Sequence, residues 1–130
     1  MPFYLDTSAF LKLVVEEAES AVLRAWSTKP VRHFVSSDLL RTEALRTARR
    51  HSPEALLQAR TLLDGVALMA VTADVCERAA ELDPAILRSL DALHLASALM
   101  LGDSLEGVVT YDARFASACA AIGIPVVAPR

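Results

Sequence analysis

Short, continuously apolar runs alternate with helical patterns along the whole chain, and this alternation constrains the fold more than any other feature. Strands are predicted at residues 2–5, 33–36, 66–71, 107–110 and 125–127. Helices are predicted at residues 8–15, 19–27, 38–50, 53–65, 74–82, 89–101 and 112–122. Uninterrupted apolar strands are typical of parallel sheets that are covered on both faces. We therefore expect an α/β protein, a three-layer α/β/α sandwich around a central, mainly parallel sheet.

The length and composition suit one folded domain. The chain has 130 residues, of which 54% are hydrophobic and 22% charged, so one domain over residues 1–130 is expected. The longest apolar stretches, 66–71 and 93–101, are far shorter than the roughly 20 residues that a membrane helix needs. The first residues lack the basic start and cleavage site of a secretory signal. The expectation is a soluble, cytoplasmic protein without membrane contact.

Two acidic residues come directly after predicted strands. Asp6 ends the first strand, and Asp112 follows the fourth. Ligands of open α/β sheets gather at the carboxyl ends of the strands, so both side chains are candidate ligands. Each also precedes a helix, where Asp is a good N-cap. Taken alone, Asp6 is explained equally well by capping and by ligand binding, and Asp112 slightly better by capping.

Two further carboxylates lie on helices in apolar surroundings. Glu43 lies on or beside the apolar face of its helix, where an ion pair to Arg41 or Arg46 is the alternative to a ligand role. Asp91 lies near the start of helix 89–101, which is apolar nearly all round and is therefore predicted to be buried. An interaction of Asp91 with the helix dipole would contribute only about 0.3–1 kcal/mol, too little to explain burial.

Four carboxylates that converge in one place need a cation. Two unit charges about 4 Å apart repel by about 4 kcal/mol at an effective dielectric constant of 20. Hard oxygen ligands favour Mg²⁺ or Mn²⁺ over zinc or copper, and Cys76 and Cys119 have no zinc-like spacing. Cations of this kind activate water, so the chemistry that fits is phosphodiester hydrolysis.

Four segments, in order and spacing, resemble the PIN domain, and specifically the VapC-type toxins of bacterial and archaeal toxin–antitoxin pairs. The segments are FYLDTSAFLKL, SSDLLRTEALRTARR, LRSLDALHLASALMLG and VVTYDARFASACAAIGIPVV. The resemblance implies metal-binding and catalytic roles for four acids: Asp6, Glu43, Asp91 and Asp112. It also implies that Ser8 and Thr110 are hydroxyl residues near the site, although Ser8 could be an N-cap and Thr110 an ordinary strand residue.

The function that the resemblance implies is a Mg²⁺- or Mn²⁺-dependent endoribonuclease. It further implies inhibition by a small antitoxin encoded beside the toxin, and a homodimer. Our mechanistic hypothesis is in-line attack of activated water, which leaves 5′-phosphate and 3′-hydroxyl ends. A histidine pair acting on the ribose 2′-hydroxyl would leave a cyclic phosphate, but the three histidines show no such pairing, and His94 suits a hydrogen-bonded core position better.

The net charge of −3 means that a nucleic-acid function needs local basic residues. The best candidates for contacting RNA phosphates lie in the Arg-rich stretch 41–60: Arg41, Arg46, Arg49 and Arg50. An ordinary solvated helix face, with an arginine paired to Glu54, explains them equally well. Tyr111, beside Asp112, is a candidate for stacking a base, whereas Trp26 suits the core or a dimer interface.

Three rival functions share part of this pattern. A metal-dependent adhesion module of the von Willebrand A kind would require a serine where this chain has Phe10, and the chain is short for that fold. A catalytically silent PIN domain that only binds a partner is disfavoured because all four acidic positions are filled. A phosphatase with a nucleophilic Asp would require a second Asp at position 8, which is serine.

Overall fold

Five parallel strands form the central sheet of the computed structural model, which describes all 130 residues. The strands are β1 (Phe3–Leu5), β2 (Phe34–Ser37), β3 (Ala67–Met69), β4 (Gly107–Val109) and β5 (Val126–Val127). The helices are α1 (Thr7–Val14), α2 (Ser20–Thr28), α3 (Asp38–His51), α4 (Pro53–Leu63), α5 (Ala73–Ala80), α6 (Ser89–Leu99) and α7 (Ala113–Ala121). A short 3₁₀ helix, Gly102–Ser104, precedes β4.

The strand order β3-β2-β1-β4-β5 places a topological switch point between β1 and β4. From β1 the chain runs outward through β2 to β3 and then returns to the other side of β1. Leu5 pairs with Val109 at the carboxyl ends of β1 and β4, so the residues that follow these two strands are neighbours. Open α/β sheets bind ligands at such a switch point.

Alternating side chains of β1 point into two separate cores, which defines the three layers. Phe3 and Leu5 are buried with apolar residues of helices α1 to α4. Tyr4 points the other way and is buried with residues of α6 and α7. Helices therefore cover both faces of a fully parallel sheet, as the continuous apolar strands predict.

Local signals place three of the seven helix starts. Ser37, Ser52 and Thr72 accept hydrogen bonds from the first turns of α3, α4 and α5, as capping chemistry predicts.

Several predicted boundaries are wrong. Strand 66–71 shortens to Ala67–Met69, and the helix predicted to run to residue 101 ends at Leu99 before the left-handed Gly102, whose φ is +54°. Helix α6 is also less buried than predicted, since Leu90 and Leu99 are exposed at its ends. No helix has the length and apolar character needed to cross a membrane.

Gly107 provides a test of the packing between β4 and its neighbours. A Cβ there would lie 2.9 Å from the backbone oxygen of Pro125, which is held in place because it accepts a hydrogen bond from Val108 N–H. We expect Gly107→Ala to lower the free energy of unfolding by about 1–3 kcal/mol, because neither backbone can move freely. The matched control is Gly65→Ala, whose Cβ would be 3.5 Å from its nearest neighbour. Equal stability of the two variants in urea denaturation would contradict this packing.

Candidate active site

Three of the four predicted acids line one cleft at the carboxyl edge of the sheet. Glu43, Asp91 and Asp112 border a cavity of about 640 Å³ together with Arg88 and Arg114. Glu43 comes from the second turn of α3, Asp91 from the first turn of α6, and Asp112 from the N-terminal end of α7. The structure thus draws together residues that are far apart in the sequence.

Asp6, the fourth acid, lies beside the cleft at the end of β1 and is 5% exposed. Its Oδ2 accepts hydrogen bonds from Ser8 Oγ at 2.8 Å and from Thr110 Oγ1 at 2.7 Å. Although Asp6 occupies the N-cap position of α1, its side chain makes no capping hydrogen bond. The two hydroxyls therefore orient Asp6, and neither Ser8 as an N-cap nor Asp6 as a side-chain cap describes this site.

Asp112 caps α7 with one of its two oxygens. Its Oδ1 accepts hydrogen bonds from the backbone N–H groups of Arg114, at 2.9 Å, and Phe115, at 3.3 Å, and so caps α7. Its own N–H donates to Thr110 Oγ1 at 3.1 Å. Oδ2 has no hydrogen-bond partner in the protein, so one oxygen caps the helix and the other remains available.

Glu43 pairs with neither of the arginines considered for it. Its Oε1 instead accepts hydrogen bonds from Thr7 Oγ1 and His94 Nε2, both at 2.7 Å. Burial acts to raise the pKa of Glu43, but the hydrogen bonds from His94 and Thr7 outweigh it and lower the pKa below its ordinary value. Glu43 is therefore an ionised carboxylate at neutral pH.

Asp91 makes no hydrogen bond or ion pair with the protein, and it is only partly buried, in contrast to the expectation from its apolar helix. Its pKa is raised, first by burial and then by the negative charges of Asp112 and Asp6. The shift in this pKa indicates that the acids are close enough to repel one another.

The carboxylates share a pattern that fits a divalent cation. Asp6, Glu43 and Asp112 each use one oxygen for hydrogen bonds within the protein and leave the other without a partner, and Asp91 leaves both. No arginine or lysine forms an ion pair with any of the four. No three acidic, histidine or cysteine side chains form a ready-made set of ligands. Mg²⁺ can bind without a preformed set of three protein ligands, since it commonly takes one or two carboxylates and completes its coordination with water and phosphate oxygens.

Arginines flank the cleft where the sequence did not indicate them. Arg88 and Arg114 both line it, three residues before Asp91 and two residues after Asp112. That proximity in sequence to two candidate ligands is the signal that could have identified them.

The predicted arginines of α3 lie outside this cleft. Arg41 pairs with Asp38 at 3.3 Å, and none of the group pairs with Glu54. The other three predicted arginines border a smaller cavity of about 240 Å³: Arg46, Arg49 and Arg50. They are exposed, so they remain candidates for contacting phosphates.

Tyr111 does not line the acidic cleft. Its hydroxyl donates to the backbone oxygen of Pro129 at 2.7 Å, and Lys12 Nζ lies 4.9 Å from the centre of its ring. Its stacking on a base stays a prediction. Trp26 packs edge-on against Phe3 with ring centres 4.9 Å apart, in agreement with a core position.

Comparison with known families decides the assignment. A profile of the PIN domain matches residues 3–121. The chain belongs to the PIN-domain family. Among PIN proteins it is similar to Ribonuclease VapC47 and Ribonuclease VapC46 of Mycobacterium tuberculosis. It is 39% identical to the first over 130 residues and 41% identical to the second over 127, and each alignment covers 97% of this chain and 96% of the relative.

Solved structures share the PIN fold at low sequence identity. VapC20 of Mycobacterium tuberculosis, described as a sarcin-ricin loop cleaving toxin, has a TM-score of 0.72 at 24% identity and covers 98% of this chain and 99% of its own. VapBC2 from Rickettsia felis, bound to a DNA fragment from its promoter, has a TM-score of 0.74 at 12% identity and covers both chains fully. The predicted three-layer α/β/α architecture is confirmed.

Replacing Asp91 with Asn is expected to stabilise the metal-free PIN domain. Because folding raises the pKa of Asp91, its negative charge costs stability at every pH above that raised pKa. Calorimetry in EDTA should show a higher thermal midpoint for the variant than for the wild type. The gain should shrink as the pH falls through the raised pKa.

The control for this test is Asp103→Asn, because Asp103 is exposed and forms no ion pair. Its midpoint should stay within about 1 °C of the wild type. A lower midpoint for Asp91→Asn would mean that the carboxylate is stabilised by its neighbours, against the repulsion inferred here.

Proposed function

We propose that residues 1–130 form a single PIN domain that acts as a Mg²⁺- or Mn²⁺-dependent endoribonuclease, the toxin of a VapBC-type toxin–antitoxin pair. The observation that carries the proposal is the arrangement of the four acids at the switch point, each with at least one oxygen that has no partner in the protein. Carboxylates left unpaired in this way are suited to a divalent cation and are costly without one.

The relatives support the same activity. Two proteins at 39% and 41% identity are named ribonucleases of the VapC type, and the alignments extend over nearly the whole chain. A structural neighbour is described as a toxin that cleaves the sarcin-ricin loop. We therefore propose RNA as the substrate of this chain and phosphodiester hydrolysis as its reaction.

The proposed metal ligands are Asp6, Glu43, Asp91 and Asp112. A divalent cation, when bound, supplies an activated water and neutralises charge on the phosphate and on the leaving oxygen. Ser8 and Thr110 hold Asp6 in place by donating to one of its oxygens. Water adds to phosphorus, the bond to the 3′ oxygen breaks, and that oxygen takes a proton, so the products carry 5′-phosphate and 3′-hydroxyl ends.

Arginine side chains are proposed to hold the RNA backbone. Arg88 and Arg114 are exposed at the cleft, where a phosphate would lie against the acids. Arg46, Arg49 and Arg50 of α3 would contact phosphates further along the strand, with Arg41 nearby. Arginine suits this role because its guanidinium pairs with two phosphate oxygens at once.

The proposed partner is a small antitoxin encoded beside the toxin. Structural neighbours include VapBC2 on its promoter DNA and a toxin-antitoxin complex from Klebsiella pneumoniae, which has a TM-score of 0.71 at 21% identity. A homodimer and a cytoplasmic location complete the proposal.

The rival functions find less support. In an adhesion module of the von Willebrand A kind, residue 10 would have to reach the metal, but Phe10 is 0% exposed in the core. A silent PIN domain would gain stability by losing the repelling charges, yet all four acids are present and Asp91 has a raised pKa.

Cleavage of RNA should require both the cation and the acids. We expect the purified protein to cut structured or unstructured RNA with Mg²⁺ or Mn²⁺ and to be inactive in EDTA. Asp6→Asn, Glu43→Gln and Asp112→Asn should each lower the rate by about 100-fold or more, which corresponds to about 2.7 kcal/mol of transition-state stabilisation. Asp103→Asn is the control and should cut normally. Cleavage that survives EDTA, or products with cyclic phosphate ends, would contradict the mechanism.

Binding of RNA should depend on the arginines of α3. In an Asp6→Asn background, Arg46→Gln with Arg49→Gln should weaken RNA binding. If both contact phosphates of single-stranded RNA, the slope of log K against log salt should fall by about 1.4. Arg78→Gln, which removes an arginine paired with Asp74 on α5, is the control. An unchanged slope in filter-binding titrations would place the RNA elsewhere.

A further inference from the structure

His94 connects the interior of the protein to the acidic cleft. It lies one helical turn after Asp91 in α6, so the two side chains share one side of the helix. His94 is 2% exposed, and its ring packs edge-on between Tyr4 and Phe115, with centres 5.8 Å and 6.1 Å away. The packing fixes the orientation of the ring.

Both ring nitrogens of His94 form short hydrogen bonds. Nδ1 lies 2.7 Å from the hydroxyl of Tyr4, and Nε2 lies 2.7 Å from Oε1 of Glu43. Thr7 Oγ1 donates to the same oxygen at 2.7 Å. A hydrogen-bonded chain therefore runs from the core through the ring to a candidate metal ligand.

The direction of these bonds follows from the groups at each end. Glu43 is ionised and can only accept, so Nε2 of His94 donates to it. In a neutral ring Nδ1 must then accept, and the hydroxyl of Tyr4, whose pKa burial raises to about 12, keeps a proton to donate to it. The arrangement selects the ring form with its proton on Nε2.

The bonds to Glu43 divide its two oxygens between different tasks. Thr7 and His94 both donate to Oε1, whereas Oε2 has no hydrogen-bond partner. No buried side-chain oxygen in the structure lacks a partner, so Oε2 must be accessible from the cleft that Glu43 lines. A glutamate side chain that was free to rotate would lose entropy on binding a cation, and the hydrogen bonds remove that freedom in advance.

We propose that His94 is a positioning residue for Glu43: with Tyr4 behind it and Thr7 beside it, it holds Oε1 so that Oε2 is presented to a divalent cation. The inference rests on the proposed function, since it assigns a task to a residue that supports one of the proposed ligands. Asp91 and His94 then act from one helix, one as a ligand and the other through Glu43.

The test is Mn²⁺ binding to the purified protein without RNA, measured by calorimetric titration or electron paramagnetic resonance. His94→Leu should weaken Mn²⁺ binding by about 10-fold or more, the usual effect of removing a partner of a metal ligand. His94→Gln, whose amide N–H can replace Nε2 as a donor, should restore most of the affinity. Tyr4→Phe keeps the core filled and should fall between the wild type and His94→Leu.

One control variant and one further measurement separate positioning from general damage to the fold. Leu95→Val alters a neighbouring buried residue of α6 that belongs to the apolar cluster of Val35, Val108 and Phe115, and it should bind Mn²⁺ like the wild type. In ¹⁵N NMR spectra, His94 should carry its proton on Nε2, and Tyr4→Phe should weaken that preference.

The outcomes also separate this inference from the proposed function. If Glu43→Gln loses Mn²⁺ affinity while His94→Leu and Tyr4→Phe keep it, the positioning role is overturned and the metal site stands. If Glu43→Gln itself binds Mn²⁺ like the wild type, Glu43 is not a ligand and both are overturned. A proton found on Nδ1 of His94 with none on Nε2 would also overturn the inference, because Nε2 could then not donate to Glu43.

Discussion

Repulsion of Asp91 by Asp112 and Asp6, at one edge of a parallel sheet, is the constraint on which the site depends. The fold does not relieve this repulsion with basic side chains, since none of the four acids is in an ion pair with lysine or arginine. Instead, neutral hydroxyls, backbone N–H groups and one histidine hold single oxygens of three acids and leave the others open. The remaining repulsion acts on Asp91, whose pKa is raised by burial and by its acidic neighbours. A divalent cation is the simplest group that would remove it.

The sheet topology explains why the site forms where it does. Strands β1 and β4 are adjacent in the sheet, although the long segment that contains β2 and β3 separates them in the sequence. Asp6 and Thr110 therefore meet at the carboxyl ends of these strands, where Thr110 donates a hydrogen bond to Asp6. The pleat of β1 adds a second effect, since Tyr4 points to the opposite face from Leu5 and there supports His94. Strand β1 thus contributes to the orientation of two acids. Asp6 lies directly at its end, and Glu43 is reached from Tyr4 through His94 of α6.

The sequence predicts the architecture well, because apolar runs, caps and helix periods are local signals, and three of the four acids that it singles out line one cleft. It does not predict the partners of Glu43, because Thr7 and His94 lie 36 and 51 residues away and only the folded chain brings them together. It also overstates the burial of Asp91, since an apolar helix says little about how far its first turn extends from the core. The sequence does not indicate Arg88 and Arg114, because neither belongs to a cluster of basic residues, whereas the arginines of α3 form such a cluster.

The central claim is that the open oxygens of the four acids hold a divalent cation. The most direct measurement is a crystal structure of the protein soaked in Mn²⁺, with the ion located by its anomalous scattering. The account predicts an anomalous peak in the cleft between Glu43, Asp91 and Asp112, within reach of Asp6. A cleft without Mn²⁺, in which Arg88 and Arg114 fold inward to neutralise the acids, would contradict it.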